Sequence, residues 1–587
     1  MAEPWSPKRS LAEVNALLTA PGTPLEVEER LVDGRILRVY KNQWPSLRAF
    51  WLWAATTYSD RVYLVFEDQR YTYKAALAKS LTAAAVFRDV YGIRKGDRVG
   101  ICSRNYPDYM IAFYACQLLG AVAVLTNAWL PTVPLIHCLT HTSCKLIVLD
   151  CERAKRLQPS TGKLGGASLL VLNSHEDKGR RWKGMRCWDE VMAAYDKDTS
   201  EILKPDFVDI HPEDNATIMF TSGTTGLPKG VLSTQRQFGT NILNAIVARR
   251  RAALRRGEEI PVPAPGSPQP GLLISVPLFH VTGLTSHMMM ATFGGAKAVL
   301  IRKWVPEEAA RVIIEEKLTS AGGVPSMPGD LLETILAKQH YPIEGLSLGG
   351  APAPESLPAR ARKAFPSVTL SQGYGMTECN AIATSFAGED YLARPTSCGL
   401  PPPVNEISIV AKGRAVPAGE VGEVWIRGPN VMKEYWRDTK ATSKVLTKDG
   451  WLRTGDLGLL DQEGFLYIKD RIKDIIIRGG ENIDSTSVEN ALFTEGVQEA
   501  AAVAVPDIKL GELVAAVVSV SPEFREKITE AGLIALARER LPKFAVPVMV
   551  LFLDVLPHNA SGKVVKADLR ALAGKEWERR RKFAAKL

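Results

Sequence analysis

The 587-residue chain lacks the patterns of several specialised protein classes. Its eight cysteines are scattered between Cys102 and Cys398 without the dense spacing of a disulfide scaffold, which favours a reducing compartment. Residues 1–21 contain four charged side chains and no apolar core of a secretory signal, so we expect no export. The charged fraction is 23% against 46% apolar residues, which excludes an intrinsically disordered chain. The length excludes a single small binding module.

Charge is missing altogether from residues 109–144, which contain no Asp, Glu, Lys or Arg. By count this run is long enough to span a bilayer. However, Gly120 divides it into a helical pattern over 108–119 and a strand-like pattern over 121–125, and Pro131 interrupts the remaining stretch. We therefore expect two buried elements of an α/β core and no transmembrane segment.

Apolar β-rich runs alternate with helical patterns through the first 400 residues, which predicts parallel sheets covered by helices. After about Gly399 the chain breaks into short strands such as 423–426, which predicts a β-rich subdomain. The charged stretch 470–474 precedes an apolar strand and indicates a domain boundary. We therefore predict an N-terminal domain over 1–472 and a small C-terminal α+β domain over 473–587.

The net charge of +9 is modest for this length and fits an anionic small molecule as well as a nucleic acid. One basic run, residues 249–256, carries five arginines and leads into a proline-rich stretch that ends at Pro270. It has none of the interleaved aromatic residues that a nucleic-acid site would need, so we expect a solvated helix end and loop.

The clearest chemical signal is the stretch 221–230, Thr-Ser-Gly-Thr-Thr-Gly-Leu-Pro-Lys-Gly, which follows the strand-like run 216–220. Glycines let backbone N–H groups approach phosphate oxygens, hydroxyl groups add donors, and a lysine supplies positive charge. The spacing is not that of a Walker loop, because Gly226 is followed by Leu-Pro-Lys-Gly. The pattern predicts a polyphosphate site formed by Thr221, Ser222, Gly223, Thr224, Thr225, Gly226 and Lys229.

This stretch closely resembles the phosphate-loop signature of the adenylate-forming superfamily, which includes acyl- and aryl-CoA synthetases, adenylation domains and firefly-type luciferases. Further stretches match the family's motifs in order from Thr221 to Lys563, so the resemblance covers nearly the whole chain after its first 45 residues. It implies an α/β fold in which a large N-terminal domain with a β-rich subdomain carries a small mobile C-terminal domain.

The resemblance also implies the nucleotide contacts. Residues 372–378, Gln-Gly-Tyr-Gly-Met-Thr-Glu, resemble the motif in which an aromatic ring lies by the adenine and a threonine touches phosphate. Residues 349–352 resemble the small-residue edge beside adenine and acyl group. The motif at 451–456 ends in an aspartate, which suits the ribose hydroxyls because a carboxylate only accepts hydrogen bonds. The implied contacts are Gly350, Ala351, Pro352, Gln372, Gly373, Tyr374, Gly375, Met376, Asp456, Ile468, Arg471 and Lys473.

Lys563 and His280 are candidate catalytic residues on the same grounds. The stretch 556–563 matches the family's catalytic-lysine loop, with His558 in place of the more usual Arg or Lys. The lysine would stabilise the negative charge that develops between the carboxylate and the α-phosphate. The stretch 277–283 resembles the aromatic motif beside the carboxylate pocket, and we assign His280 contact with the acid.

Thr377 and Glu378 complete the candidate catalytic set, and Glu378 with Thr221 forms the predicted magnesium site. A single carboxylate beside a triphosphate acts mainly through a metal, because Mg²⁺ favours one or two carboxylates together with phosphate oxygens.

Residues 479–483, Gly-Gly-Glu-Asn-Ile, resemble the glycine-rich loop that lines the thiol tunnel of acyl-CoA synthetases. Gly479 and Gly480 are therefore implied coenzyme A contacts. Lys473 aligns with the family's hinge position, which implies that the small domain rotates, withdraws Lys563 and brings in the glycine pair.

The implied reaction has two steps. A carboxylate and ATP·Mg²⁺ give an acyl-adenylate and pyrophosphate, and a thiol then displaces AMP to give a thioester. The tail after Lys563 is too short for a carrier domain, so we expect free coenzyme A as the acceptor. We predict a hydrophobic acid, with a medium- or long-chain fatty acid first and an aryl acid as the alternative. The reason is that the expected pocket lining offers no charge: Val281, Thr282, Gly322, Gly323, Val324, Gly350 and Gly373.

Three other functions share these motifs. A stand-alone adenylation enzyme would load a separate carrier protein, and a luciferase-like enzyme would consume oxygen. A nonenzymatic nucleotide sensor would have lost Lys563, Lys229 or Glu378, and all three are present.

The last three residues, Ala585-Lys586-Leu587, are a conservative variant of the peroxisomal Ser-Lys-Leu address. In a eukaryotic host we expect a peroxisomal enzyme that binds the import receptor, and otherwise a cytoplasmic one. The other expected partners are the acid, ATP and coenzyme A, with no nucleic acid.

Overall fold

The computed structural model describes residues 5–172, 180–221, 227–260, 266–559 and 562–584. Its strands are β1 (Val27–Val32), β2 (Arg35–Tyr40), β3 (Val62–Phe66), β4 (Gln69–Thr72), β5 (Arg98–Cys102), β6 (Val122–Leu125), β7 (Leu146–Asp150), β8 (Ser168–Leu172), β9 (Arg186–Cys187), β10 (Asn215–Phe220), β11 (Gly230–Thr234), β12 (Gly271–Ile274), β13 (Lys297–Leu300), β14 (Ser320–Gly323), β15 (Gly345–Gly349), β16 (Thr369–Tyr374), β17 (Thr384–Ala387), β18 (Glu406–Ala411), β19 (Arg414–Ala415), β20 (Gly422–Arg427), β21 (Glu434–Tyr435), β22 (Leu452–Leu460), β23 (Leu466–Arg471), β24 (Ile476–Arg478), β25 (Glu481–Ile483), β26 (Val497–Asp507), β27 (Gly511–Val520) and β28 (Met549–Phe552).

The α-helices are α1 (Leu11–Leu18), α2 (Leu47–Thr57), α3 (Tyr73–Asp89), α4 (Pro107–Leu118), α5 (Thr132–His141), α6 (Cys151–Leu157), α7 (Trp188–Ala193), α8 (Gln235–Arg255), α9 (Met289–Phe293), α10 (Pro306–Glu315), α11 (Ser326–Leu331), α12 (Ile335–Lys338), α13 (Leu357–Ala364), α14 (Glu389–Ala393), α15 (Thr439–Val445), α16 (Ser485–Leu492), α17 (Glu530–Arg540) and α18 (Lys566–Ala584).

Two eight-stranded sheets form the main body, in the orders β21-β11-β10-β6-β5-β7-β8-β9 and β17-β16-β15-β14-β12-β13-β3-β4. Their central strands are parallel and buried, as expected for sheets covered by helices on both faces. The largest hydrophobic cluster joins the two sheets through α2, α3 and α4. Within it the Trp51 ring stacks on Tyr114 with ring centroids 3.9 Å apart. This is the predicted α/β arrangement.

The charge-free run belongs to this core. Every residue of α4 and β6 is buried except Asp108, which begins the helix beside Pro107. Pro107 suits the first helical turn, because its missing N–H would have no partner there. Among the described helices, none combines the length and the apolar composition needed to cross a bilayer.

The basic run at 249–256 is not the solvated helix end that we expected. It forms the last two turns of α8, in which Arg251 and Arg255 are each 3% exposed. The Arg255 guanidinium pairs with Asp390, with nitrogen and oxygen 2.9 Å apart, and Arg251 donates to the Pro401 carbonyl at 3.0 Å. These partners lie far away in the sequence, so a local charge pattern does not reveal them.

The described residues also form three smaller sheets, of which the first is the antiparallel pair β1-β2. The sheet β19-β18-β20-β22-β23 forms the predicted β-rich subdomain, and β24 to β28 form the C-terminal sheet with α16, α17 and α18 packed on it. The predicted boundary at residue 473 falls in the turn between β23 and β24. Across that turn the Asp470 carboxylate accepts a hydrogen bond from the Ser485 backbone N–H at 2.7 Å.

Candidate active site

A cavity of about 580 Å³ lies where the carboxyl ends of β15 and β16 meet the C-terminal domain. Ligands commonly bind at this edge of a parallel sheet. Most of the residues predicted from the sequence line this single cavity, although they come from all parts of the chain. They are Thr221, Lys229, His280, Gly350, Gln372, Gly373, Tyr374, Gly375, Met376, Thr377, Glu378, Asp456, Arg471, Lys473 and Lys563.

Three predicted nucleotide contacts do not line the cavity. Ala351 and Pro352 continue the turn after Gly350, and Pro352 is exposed. Ile468 packs instead against the hydrophobic cluster of the β-rich subdomain that contains Val424. Sequence motifs locate the right turn or strand, but the alternation of side chains along a strand decides which residue faces the ligand.

Gly479 and Gly480 also lie outside the cavity, on an exposed hairpin between β24 and β25. In this arrangement the C-terminal domain presents Lys563 to the cavity instead. Residues 222–226 of the predicted phosphate loop and the final residues 585–587 lie outside the described residues.

The loop before α18 holds Lys563 in place. Its backbone N–H donates to the Asn559 side-chain oxygen at 3.0 Å, and its carbonyl accepts from the Asn559 N–H at 2.8 Å. Burial lowers the pKa of Lys563 to about 8, and the charge of Arg471 adds to that shift while Asp456 and Glu378 oppose it. At pH 7 the amine is therefore still mostly a cation.

Asp456 occupies one wall, where β22 and β23 pair. The register places it directly opposite Arg471, whose Nε lies 3.3 Å from Asp456 Oδ1. Tyr374, at the end of β16, donates its hydroxyl hydrogen to Asp456 Oδ2 at 2.6 Å. Burial raises the pKa of Asp456, and Arg471 and Tyr374 oppose that shift. Two donors thus orient the carboxylate, which keeps further acceptor positions for ribose hydroxyls.

Glu378 and Lys229 lie together on another wall through a residue that sequence motifs missed. Tyr435, on β21, donates its hydroxyl hydrogen to Glu378 Oε1 at 2.6 Å. The Lys229 ammonium lies 5.0 Å from the centre of the same ring. Burial raises the pKa of Tyr435, so its hydroxyl remains a donor at neutral pH. Only the pairing of β21 with β11 brings Tyr435 here.

The same wall fits a magnesium ion bound with phosphate. Glu378 contributes a carboxylate with one oxygen held by Tyr435, and Thr221 contributes a hydroxyl on the same cavity. Hard oxygen donors, few in number and beside a phosphate site, are the set that Mg²⁺ takes. The Thr221 N–H donates to the Lys229 carbonyl at 3.0 Å, which ties together the two ends of the predicted phosphate loop.

His280 lies in the cavity as a neutral ring. Its Nδ1 accepts a hydrogen bond from the Thr282 backbone N–H at 3.2 Å, so the proton of the neutral imidazole lies on Nε2. Burial lowers its pKa to about 3, and the nearby charge of Lys563 acts in the same direction. The ring can therefore donate one hydrogen bond to a substrate oxygen.

The rest of the lining differs from our expectation. Val281, Thr282, Gly350 and Gly373 line the cavity as predicted, whereas Gly322, Gly323 and Val324 do not. The expectation of an uncharged lining is wrong, because Arg249 is part of the wall. The sequence signal was available in α8, where Ala245, Ala248 and Arg249 have the spacing of one helix face. The polar residues that motif reading missed here are Arg249, Ser286, His287, Ser347, Ser371 and Ser385.

Comparison with known proteins identifies the family. The AMP-binding enzyme family matches residues 51–436, and the AMP-binding enzyme C-terminal domain matches residues 487–563. The chain belongs to the AMP-binding enzyme family, within the adenylate-forming superfamily of acyl-CoA synthetases.

Similar proteins support this assignment over most of the chain. A feruloyl-CoA synthase from an Amycolatopsis species is 32% identical over 508 residues, covering 85% of this chain and 92% of the relative. A 2-succinylbenzoate–CoA ligase from Bacillus subtilis (strain 168) is 33% identical over 520 residues, covering 87% and 95%. A long-chain-fatty-acid–CoA ligase from the same strain is 32% identical over 545 residues, covering 88% and 92%.

A solved structure agrees with these relatives. The o-succinylbenzoate CoA synthetase from Bacillus subtilis in complex with its acyl-adenylate intermediate has a TM-score of 0.72 at 30% identity, covering 90% of this chain and 98% of that one. The protein is an ATP-dependent acid–CoA ligase that forms AMP and pyrophosphate and uses ATP, Mg²⁺ and coenzyme A.

Proposed function

We propose that this ligase activates a medium-sized carboxylic acid, aliphatic or aromatic, and transfers it to coenzyme A. The observation that carries the proposal is the part of the cavity between Gly349 and Arg249, which we call the acid chamber. From Gly349, beside the reacting end, to Gly345 the strand advances about 13 Å. Arg249 fills the space over Gly345, since a Cβ atom there would lie 1.7 Å from a guanidinium nitrogen, and Gly345 itself does not line the cavity. This depth favours an aryl or medium-chain acid over a long-chain fatty acid.

In the first step the acid carboxylate attacks the α-phosphorus of ATP, and pyrophosphate leaves. His280 orients the carboxylate by donating from Nε2, and Lys563 stabilises the negative charge that builds up between the carboxylate and phosphate oxygens. Asp456 and Arg471 hold the ribose. Glu378 and Thr221 would hold Mg²⁺, which neutralises phosphate charge when bound.

In the second step the thiol of coenzyme A displaces AMP. Gly479 and Gly480 lie outside the cavity while Lys563 lies inside it, so this step requires the C-terminal domain to turn. Lys473, in the turn between the two sheets, is the proposed hinge. Rotation there exchanges the lysine loop for the glycine hairpin.

Pyrophosphate release across a panel of acids tests the proposal. The panel contains straight-chain acids of four to eighteen carbons, benzoic acid and cinnamic acids, each with and without coenzyme A. We expect turnover to peak among aryl or medium-chain acids, with AMP and a CoA thioester as products. If turnover instead peaked at acids of sixteen or eighteen carbons, the inference that Arg249 limits the depth of the acid chamber would be wrong. Pyrophosphate without any thioester would show that the acceptor is not coenzyme A.

A further inference from the structure

The inner end of the acid chamber holds a cation for which the two-step reaction has no use. Arg249 lines the cavity from α8 and covers Gly345 at the start of β15. Within the described part of the chain, its guanidinium group forms no hydrogen bond and no ion pair. Glu344 is the one carboxylate that influences its pKa, and that side chain is exposed and does not pair with it.

A second polar group without a hydrogen-bond partner, the imidazole of His287, lies near Arg249. His287 is only 4% exposed, and its Nε2 lies 3.1 Å from the Ser347 hydroxyl oxygen. Its Nδ1 is buried with no hydrogen-bond partner among the described residues. Burial lowers the pKa of His287 to about 4, with a further contribution from the charge of Arg249, so the ring is neutral. If the serine donates to Nε2, the imidazole proton lies on the unpartnered Nδ1.

The strand geometry places both groups away from the reacting centre. Gly345, Ser347 and Gly349 face the same side of β15, because alternate residues of a strand do so. Ser347 and Gly349 line the cavity, and Arg249 covers Gly345. His287 packs at Ser347. Lys563 lies at the other end, against Gly350. A substrate that reacts beside Lys563 would therefore point its far end at Arg249.

Arg249 is half-buried, and a cation without a counter-ion is costly where burial removes part of the water that would solvate it. With the His287 proton on Nδ1, the group missing here is one acceptor that faces both a guanidinium and an imidazole N–H. A carboxylate supplies that acceptor, and its planar pair of oxygens matches the guanidinium fork. An alkyl or phenyl end supplies nothing and leaves both donors without partners.

We propose that the acid carries a second carboxylate at its far end, bound by Arg249 and by the Nδ1–H of His287. The natural substrate class is then a dicarboxylic acid with an apolar middle, of which only the carboxylate beside Lys563 is activated. This inference rests on the proposed function, because it concerns the far end of the same acid chamber.

The test compares acids that differ only at the far end: octanoic with octanedioic acid, and cinnamic with 4-carboxycinnamic acid. The readout is kcat/KM for pyrophosphate release at pH 7.5, where both carboxyl groups are ionised. We expect the native enzyme to prefer each diacid by roughly 10- to 100-fold, the usual effect of leaving buried polar groups unpaired. We expect Arg249→Met to remove that preference, mainly by raising KM for the diacid.

Arg250→Met is the matched control, because Arg250 is the next residue of α8 and does not line the cavity. It is expected to keep the full preference. If Arg249→Met does not fold, Arg249→Lys keeps the charge without the fork and is expected to lose most of the preference.

The outcomes separate the two proposals. Monoacid turnover with no preference for the diacid, or a preference that survives Arg249→Met, would overturn the second carboxylate and leave the ligase proposal standing. If an ω-hydroxy acid were as good a substrate as the diacid, the far group would need only an uncharged acceptor, and the proposed second carboxylate would be wrong. No pyrophosphate with any acid would overturn the proposed function, and this inference with it.

Discussion

The side chain of Lys563 lies against the backbone of Gly350, so that a Cβ atom at position 350 would sit 3.5 Å from Lys563 Cε. Gly350 belongs to the large domain and Lys563 to the small one, and this contact brings the two domains together at the reacting centre. Gly350 also has φ +85°, a left-handed conformation that side chains disfavour. The backbone conformation therefore selects glycine at this position, and it does so in the turn that contacts Lys563.

Gly350→Ala is expected to impair adenylation more than it impairs folding. The left-handed backbone should cost about 1–2 kcal/mol of unfolding free energy. If the turn shifts to relieve this strain, its contact with Lys563 shifts as well, which should lower kcat for pyrophosphate release by about tenfold. Gly413→Ala is the control, because Gly413 has φ +75° with open space around it. Equal loss of stability and equal activity in both variants would show that the contact with Lys563 does not matter.

Lys563→Ala is expected to separate the two half-reactions. Loss of one preorganised cation should reduce adenylation by about 10²- to 10³-fold. The same variant should convert a preformed acyl-adenylate and coenzyme A to thioester at nearly the native rate, because the lysine leaves the cavity for that step. Single-turnover assays of each half-reaction make the comparison. Lys575→Ala, at an exposed lysine of α18, controls for the loss of a charge on the small domain. A parallel loss in both half-reactions would contradict the domain rotation.

Adenylation should fall as the pH rises through about 8, where the free enzyme's Lys563 loses its proton. The group acts as a cation, so activity is present below its pKa and decreases about tenfold for each pH unit above it. His280 causes no further change in activity between pH 7 and 10, because its pKa is lowered to about 3. The measurement is kcat/KM for the acid between pH 7 and 10. The rate of thioester formation should instead rise with pH as the thiol of coenzyme A ionises. If adenylation by Lys563→Ala still fell as the pH rose, a group other than Lys563 would be responsible.

The sequence predicted the fold where local pattern controls it. Gly120 separates α4 from β6, and both elements lie within a residue or two of their predicted bounds. Hydrophobic periodicity is set by neighbours along the chain, so one sequence is enough to read it. The order of strands in the sheets is set by distant contacts, and the buried ion pair of Arg255 with Asp390 is of that kind. A run of arginines therefore looked solvated.

The same distinction holds for the site. Motifs predicted Lys229, Glu378, Asp456 and Lys563 because each lies in a short stretch with its own spacing. Tyr435 carries no motif, and it reaches Glu378 only through strand pairing. Arg249, His287 and Ser347 come from a helix, a helical turn and a strand that meet only in the folded chain. The far end of the acid chamber is therefore the part that sequence patterns predict least.

Asp456→Asn should weaken the discrimination between ATP and 2′-deoxy-ATP. Tyr374 and Arg471 orient the Asp456 carboxylate, and an amide keeps the shape while losing half of the acceptor capacity and all of the charge. We expect kcat/KM for ATP to fall by roughly 10- to 100-fold, as when a buried hydroxyl loses its partner.

The decisive experiment is a double-mutant-type cycle in which the first change is Asp456→Asn and the second is the replacement of ATP by 2′-deoxy-ATP. The native enzyme should lose a similar factor on 2′-deoxy-ATP, while Asp456→Asn should lose little more when the 2′-hydroxyl is removed, because the interaction is already gone. Tyr374→Phe should fall in between, since it leaves the carboxylate but removes one group that orients it. Asp461→Asn is the control, because Asp461 caps a turn of the same subdomain and does not line the cavity. If the loss from Asp456→Asn and the loss from removing the 2′-hydroxyl simply multiplied, the Asp456 carboxylate would not be the acceptor for that hydroxyl. The sugar would then have to bind elsewhere on the wall formed by β22 and β23.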